Sequence, residues 1–163
     1  MRHLSARPRA RGLTLIELMV ALTIAGVLAV AAAPFFGDYI RNSRLRESGN
    51  TVFGEALFAQ SEAIKRNTTI RLSTTGSTVQ VLDMTAPLAP VVLRERTLAD
   101  GVSIATATLD FGGEGRPTPF GSTASINLSH STATCSSETR CPGLRIDAGG
   151  ATRLCGDHTT TCP

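Results

Sequence analysis

Hydrophobic and polar positions fall into three patterns along the chain. After Arg11-Gly12 comes Leu13-Thr14-Leu15-Ile16-Glu17, and then Leu18–Phe36, 19 residues without a charge. As a helix that run rises about 28 Å, close to the hydrocarbon thickness of a bilayer. From Asp38 to Arg66 the run becomes amphipathic, with Tyr39, Leu45, Val52, Leu57, Ala59 and Ile64 at helical intervals and Phe53, Ala56 and Phe58 widening the apolar face. Gly49 and Gly54 weaken that helix. Beyond Asn67 the residues turn to Thr, Ser, Gly and β-branched types. Strands are predicted over 69–73, 78–83, 91–96, 102–107, 125–128, 144–147 and 151–154, with Gly76-Ser77 and Gly149-Gly150 as hairpin turns. One long helix against many short strands predicts an α+β architecture, the amphipathic half packed on a mainly antiparallel sheet.

The apolar run admits three readings. A buried core helix is disfavoured because the residual domain could hardly wrap so long a segment. A cleaved secretory signal would have a shorter apolar region before a small-x-small site, which Ala31-Ala32-Ala33 mimics. A membrane helix fits best, and the arginines before it place the N-terminus in the cytoplasm and the rest outside. Glu17 stands near the start of that helix, either tolerated at headgroup depth or awaiting a positive partner. Pro34 removes a backbone donor, so a kink or local melting is expected around residues 31–35.

Charge adds little to this picture. The 163 residues carry a formal net charge of +3, but Arg2, Arg7, Arg9 and Arg11 supply four positive charges before the apolar run. Taking those four from the 16 basic residues leaves 12 against 13 acidic ones, so whole-chain attraction to nucleic acid is not supported.

The residues Arg11-Gly12-Leu13-Thr14-Leu15-Ile16-Glu17 closely resemble the class III signal of type IV prepilins and pseudopilins. The resemblance implies cleavage by a prepilin peptidase between Gly12 and Leu13, methylation of the new N-terminus, and a role for Glu17 in neutralising the N-terminal amine of a neighbouring subunit. Leu13 is a departure, since the family usually has Phe there. Pro34 also matches a proline common in the family's apolar stretch. Gln60–Asn67 resembles the helix end of the GspH/FimT subfamily, and Leu109-Asp110-Phe111 with the glycine cluster 112–115 resembles that subfamily's strand and loop. That cluster lacks the Gly-Lys-Ser/Thr ending of a phosphate-binding loop and no helix follows it, so a turn is expected. The implied organisation is a leader over 1–12, a transmembrane and filament-core helix over 13–36, an amphipathic helix over 37–67, and a periplasmic β-rich domain over 68–163.

Cys135, Cys141, Cys155 and Cys162 show no Cys-x-x-Cys or Cys/His spacing suited to zinc, and no metal or other cofactor is expected. An outward-facing domain makes disulfides the natural reading. Of three pairings, Cys135–Cys141 and Cys155–Cys162 are favoured because each closes a short loop. A two-residue Gly149-Gly150 turn would set Leu144 opposite Cys155 and put Cys141 about three residues out of register with it. No catalytic arrangement is expected: Asp157-His158 has no Gly-x-Ser-x-Gly elbow near it.

The leading expectation is a minor pilin or pseudopilin of a type IV pilus or a type II secretion system. Its partners would be other pilin-type subunits, the prepilin peptidase and the inner membrane. The four-cysteine C-terminus resembles pilus-associated members more. The alternative is a DNA-capturing minor pilin. Some FimT-like members bind DNA through a Gly-Arg-x-Arg turn, where this chain reads Gly150-Ala151-Thr152-Arg153, leaving Arg145 and Arg153 as candidate contacts across a hairpin.

Overall fold

The structure is a computed structural model. It describes residues Thr14–Thr160 and Cys162, with the backbone alone at residues 33–35. The chain forms two compact units, Met1–Gly37 and Asp38–Pro163, and helix α1 (Leu15–Arg66) contributes to both.

In the first unit, Leu15–Ala32 is an 18-residue helical window long and apolar enough to cross a membrane, and none of it is buried. The helix continues without a break through residues 31–35. The local melting expected at Pro34 is therefore not seen in this chain.

The second unit lays α1 from Asp38 onward against one antiparallel sheet. Its strands are β1 (Ile70–Gly76), β2 (Thr78–Asp83), β3 (Val91–Thr97), β4 (Val102–Phe111), β5 (Pro117–Thr118), β6 (Ala124–His130), β7 (Gly143–Ile146) and β8 (Thr152–Cys155). They lie in the order β3-β2-β1-β4-β6-β7-β8, with the two-residue β5 alongside β4. Alternation decides which side faces the helix: Ile70, Leu72 and Thr74 of β1 and Val79 and Val81 of β2 point inward. Thr74 is fully buried, and its hydroxyl is satisfied, donating to the Ala105 carbonyl at 2.7 Å and accepting from the Ala107 N–H at 3.1 Å. That pairing sits where β1 slips against β4. Beyond the slip Ile70–Thr74 pair with 107–111 in regular register, so the strand predicted to stop at 107 runs on to Phe111 and absorbs Leu109-Asp110-Phe111.

The helix face is the expected one at Leu45, Val52, Ala56 and Ala59 and differs at its margins. Leu45, Val52, Ala56, Ala59 and Ala63 form the buried stripe, while Tyr39, Leu57 and Ile64 are exposed. Small side chains let the helix approach the sheet, whose Ile70, Leu72, Phe111, Ile126, Leu128 and Leu144 supply the bulk of the shared core. Gly49 belongs to the same logic: a Cβ there would lie 2.9 Å from Cβ and 3.0 Å from Cγ of Pro142. The helix ends at Asn67, whose φ of +50° closes a left-handed cap. The Thr68 N–H donates to Ala63 O and the Asn67 N–H to Ile64 O, both at 3.3 Å.

The β7–β8 hairpin corrects a second expectation. Ile146 pairs with Thr152, leaving a five-residue loop in place of a two-residue turn. Asp147 builds it: its Oδ1 accepts from the N–H groups of Gly149 and Ala151, each at 2.9 Å. Leu144 consequently faces Leu154, and Gly143 faces Cys155.

Candidate functional site

The residues expected to carry function fall at three places. Gly12 and Leu13, the expected cleavage pair, lie outside the described residues. Glu17 lies just inside the helix start, and its geometry is specific. Thr14 is the residue before the helix, and its N–H and hydroxyl both donate to Glu17 Oε2 at 2.9 Å. The Glu17 N–H in turn donates to Thr14 Oγ1 at 3.3 Å. This reciprocal pair is a capping box, satisfying two of the donors that every helix start leaves open. Thr-x-x-Glu ahead of an apolar run is the signal in the sequence for it. Glu17 Oε1 accepts no hydrogen bond among the described residues.

The second place is the cysteine-bearing end of the globular unit. Cys135 pairs with Cys141 at an S–S distance of 2.05 Å, and Cys155 with Cys162. The segment between Cys135 and Cys141 is fastened to α1 by Asn42, whose Nδ2 donates to Glu138 O at 2.7 Å while its Oδ1 accepts from the Arg140 N–H at 2.9 Å. The His158 N–H donates to Cys141 O at 2.7 Å, tying the two bridged loops together. The His158 ring stands with the sulfurs of Cys135 and Cys141, all within 4.8 Å. Those sulfurs are joined to each other and act as a bridge rather than as thiolate ligands. Asp157 is buried, which raises its pKa, yet hydrogen bonds from Thr159 and Thr160 outweigh burial and hold it below the usual carboxylate value. Its carboxylate thus serves its own loop, accepting from the Thr159 N–H and from the hydroxyls of Thr159 and Thr160.

The third place is the β7–β8 hairpin. Arg145 and Arg153 are direct cross-strand partners. Arg145 is half-buried and donates to Asn127 Oδ1 at 2.8 Å, so Arg153 is the exposed arginine of the pair. Arg116 lies on the loop beside this hairpin: Gln60 Nε2 joins the two loops, donating to Gly115 O at 2.7 Å and Gly150 O at 3.1 Å.

A long apolar N-terminal helix that continues as the spine of an antiparallel α+β domain defines the pilin-like class. Residues 7–33 match the prokaryotic N-terminal methylation motif, and residues 49–150 match the type II transport protein GspH. The chain belongs to the GspH family. Among solved structures it resembles the type IV minor pilin FimU of Pseudomonas aeruginosa, with a TM-score of 0.60 at 15% identity, covering 77% of this chain and 99% of that one. It also resembles the minor pseudopilin EpsH from the type 2 secretion system of Vibrio cholerae, with a TM-score of 0.56 at 14% identity, covering 69% of this chain and 97% of that one. At these identities the likeness shows the fold. A 45-residue stretch is 42% identical to the fimbrial protein EcpC of Eikenella corrodens, spanning 28% of this chain and 29% of that protein's length. The chain therefore joins a prokaryotic N-terminal methylation motif to a GspH-family domain in a pilin-like fold.

Proposed function

We propose that this protein is a structural subunit, cleaved by a prepilin peptidase between Gly12 and Leu13 and methylated on Leu13, that assembles with other pilin-type subunits into a type IV pilus or a type II secretion pseudopilus. Residues 13–36 would anchor it in the inner membrane with the N-terminus cytoplasmic and the β-rich domain periplasmic. The observation that carries the reading is the order of parts in one chain: a basic leader, the methylation motif, a membrane-length helix and a GspH domain. Glu17 fits it chemically. Its Oε2 is engaged by Thr14 and its Oε1 is available to accept from the amine of a neighbouring subunit.

DNA capture is not adopted. Its motif lacks an arginine at Ala151, and Arg145 is engaged by Asn127.

The test is the intact mass and N-terminal sequence of the protein from membranes of a host with an active prepilin peptidase. A chain that begins at Leu13 and is one methyl group heavier than its sequence is expected. A start at Met1, or after Ala33, would overturn the reading.

A further inference from the structure

We propose that a cleft on the globular unit, between α1 and the two bridged loops, receives an acidic segment of a neighbouring pilin-type subunit, with Arg46 and Arg140 as the groups that hold its carboxylate. The inference rests on the assembly reading above and adds the chemistry of the partner. The cleft has a volume of about 670 Å³ and lies wholly within residues 42–160. Arg46 comes from α1, Arg140 from the first bridged loop and Pro142 from just after it, Leu154 from β8 and Asp157 from the second bridged loop.

Three observations point to an acidic peptide. The first is the state of the arginines. On the same stretch of helix, Arg41 is paired with Asp38 at 3.0 Å and Arg44 donates to Asp100 O at 3.3 Å. The guanidinium groups of Arg46 and Arg140 are exposed and make no ion pair or hydrogen bond among the described residues. The second is the acids. Asp157 lines the cleft but is only 5% exposed, with its carboxylate turned to Thr159 and Thr160. Glu138 is the exposed acid of the lining, so among the described residues the cleft presents two guanidinium groups and one carboxylate to solvent, the second carboxylate, Asp157, being turned into its own loop. That balance suits one carboxylate and falls short of the basic stripe a nucleic-acid backbone requires. The third is the floor: Pro142 and Leu154 supply apolar surface for the residues flanking that carboxylate.

The walls are also held in place before any partner arrives. Asn42 fixes the 138–140 segment, His158 fixes Cys141, two bridges close the loops, and Gly49 admits Pro142 against the helix. A preformed cleft loses little conformational freedom on binding, and Arg presents a planar fork matched to a carboxylate.

The experiment uses the full-length chain in membranes, co-expressed with pilin-type subunits from the same genome. A photo-crosslinking p-benzoylphenylalanine replaces Ser137 in the cleft or, as a control, Thr108 on the sheet. The Ser137 probe is expected to form an adduct with a pilin-type subunit, mapping by mass spectrometry to a segment containing Asp or Glu. Combining Arg46→Glu with Arg140→Glu should cut that adduct at least tenfold without lowering the unfolding temperature, and changing the mapped acid to Arg should restore it. An adduct insensitive to the charge reversal, or one mapping to a second copy of this chain, to lipid or to nucleic acid, overturns the proposal. Co-purification of the unaltered chain with pilin-type subunits is read separately. If the chain assembles while the cleft variants crosslink as before, the cleft inference alone fails; if it joins no pilin-type subunit, the assembly reading fails and the inference with it.

Discussion

Two glycines on one helix should respond differently to the same substitution. Gly49 and Gly54 both lie inside α1, where glycine costs about 1 kcal/mol relative to alanine. A Cβ at Gly54 meets nothing within 4 Å, so Gly54→Ala should stabilise the globular unit by close to that full amount, about 0.5–1 kcal/mol. At Gly49 the new carbon would stand 2.9 Å from Pro142 Cβ and 3.5 Å from Leu154 Cδ1. Pro142 is a ring next to the bridged Cys141, so it has little room to yield. Overpacking of this kind costs about 1–3 kcal/mol, which cancels or exceeds the helix-propensity gain. Gly49→Ala should therefore lie about 1–3 kcal/mol below Gly54→Ala in stability. For a unit of this size that separates the two by roughly 3–12 °C in Tm. Differential scanning calorimetry of the full chain in detergent is the suitable readout, because the protein has no Trp and one Tyr. If Gly49→Ala raises Tm as much as Gly54→Ala does, Pro142 does not seat against the helix and the packing argument is wrong.

Other expectations concern the charges and the bridges. Arg71 and Asp110 face each other across β1 and β4 with two parallel bonds, at 2.7 and 2.8 Å. Both are partly exposed, so Asp110→Asn should cost only about 0.5–1 kcal/mol in urea denaturation, and less in high salt. Removing the first bridge with Cys135→Ala and Cys141→Ala frees a loop of sequence separation 6, worth about 2–2.5 kcal/mol by loop-closure entropy. An unchanged Tm would show that the loop is ordered without it. Glu62 is held below its ordinary value of 4.5 chiefly by its hydrogen bond from Arg66 at 2.6 Å. Because the folded pKa is lowered, its contribution is present above about pH 5 and is lost as the pH falls through the folded value. The Tm difference between the native chain and Glu62→Gln should therefore be constant from about pH 5 to 8 and close in acid; a difference that grows in acid would contradict the assignment.

What the sequence reveals, and what it conceals, follows the range of the interactions. The apolar run, the leader motif and the strand alternation are local, and each is legible. The buried face of α1 is legible only in part: Leu45, Val52, Ala56 and Ala59 are buried as their spacing predicts, whereas Tyr39, Leu57 and Ile64 lie outside and Ala63 takes a buried place. The bulky inward side chains of the opposing sheet, Ile70, Leu72 and Phe111 among them, favour small residues on the helix, and they are not written in the helix itself. The hairpin register fails for a related reason. Gly149-Gly150 resembles a two-residue turn, but Asp147 captures two N–H groups and enlarges the loop to five residues. The pairing of Cys135 with Cys141 and of Cys155 with Cys162 is legible because both loops are short. The cleft beside them is not, since it exists only where Asn42 fastens a segment nearly a hundred residues away.

Glu17 caps the helix start in the structure, and on the assembly proposed above it would meet a second demand. A carboxylate inside the bilayer costs about 2.5–3.5 kcal/mol at its centre and less near the interface. Leaving the first N–H groups of a helix open is also costly, and the capping box offsets part of both. It places a charged acceptor on the Thr14 N–H and hydroxyl and uses one carboxylate oxygen for both bonds. On the proposed cleavage, the new amine of Leu13 would arise one residue before that cap, and Oε1 is the acceptor left for the amine of an adjacent subunit. Replacing Thr14 by Val should therefore weaken the helix start by about 1 kcal/mol while leaving the carboxylate in place. Glu17→Gln should keep the cap hydrogen-bonded and remove the charge. If assembly depends on charge pairing, Glu17→Gln should abolish recovery of the protein in sheared filaments while Thr14→Val only reduces it. Equal loss in both variants would mean that Glu17 acts through the helix cap alone.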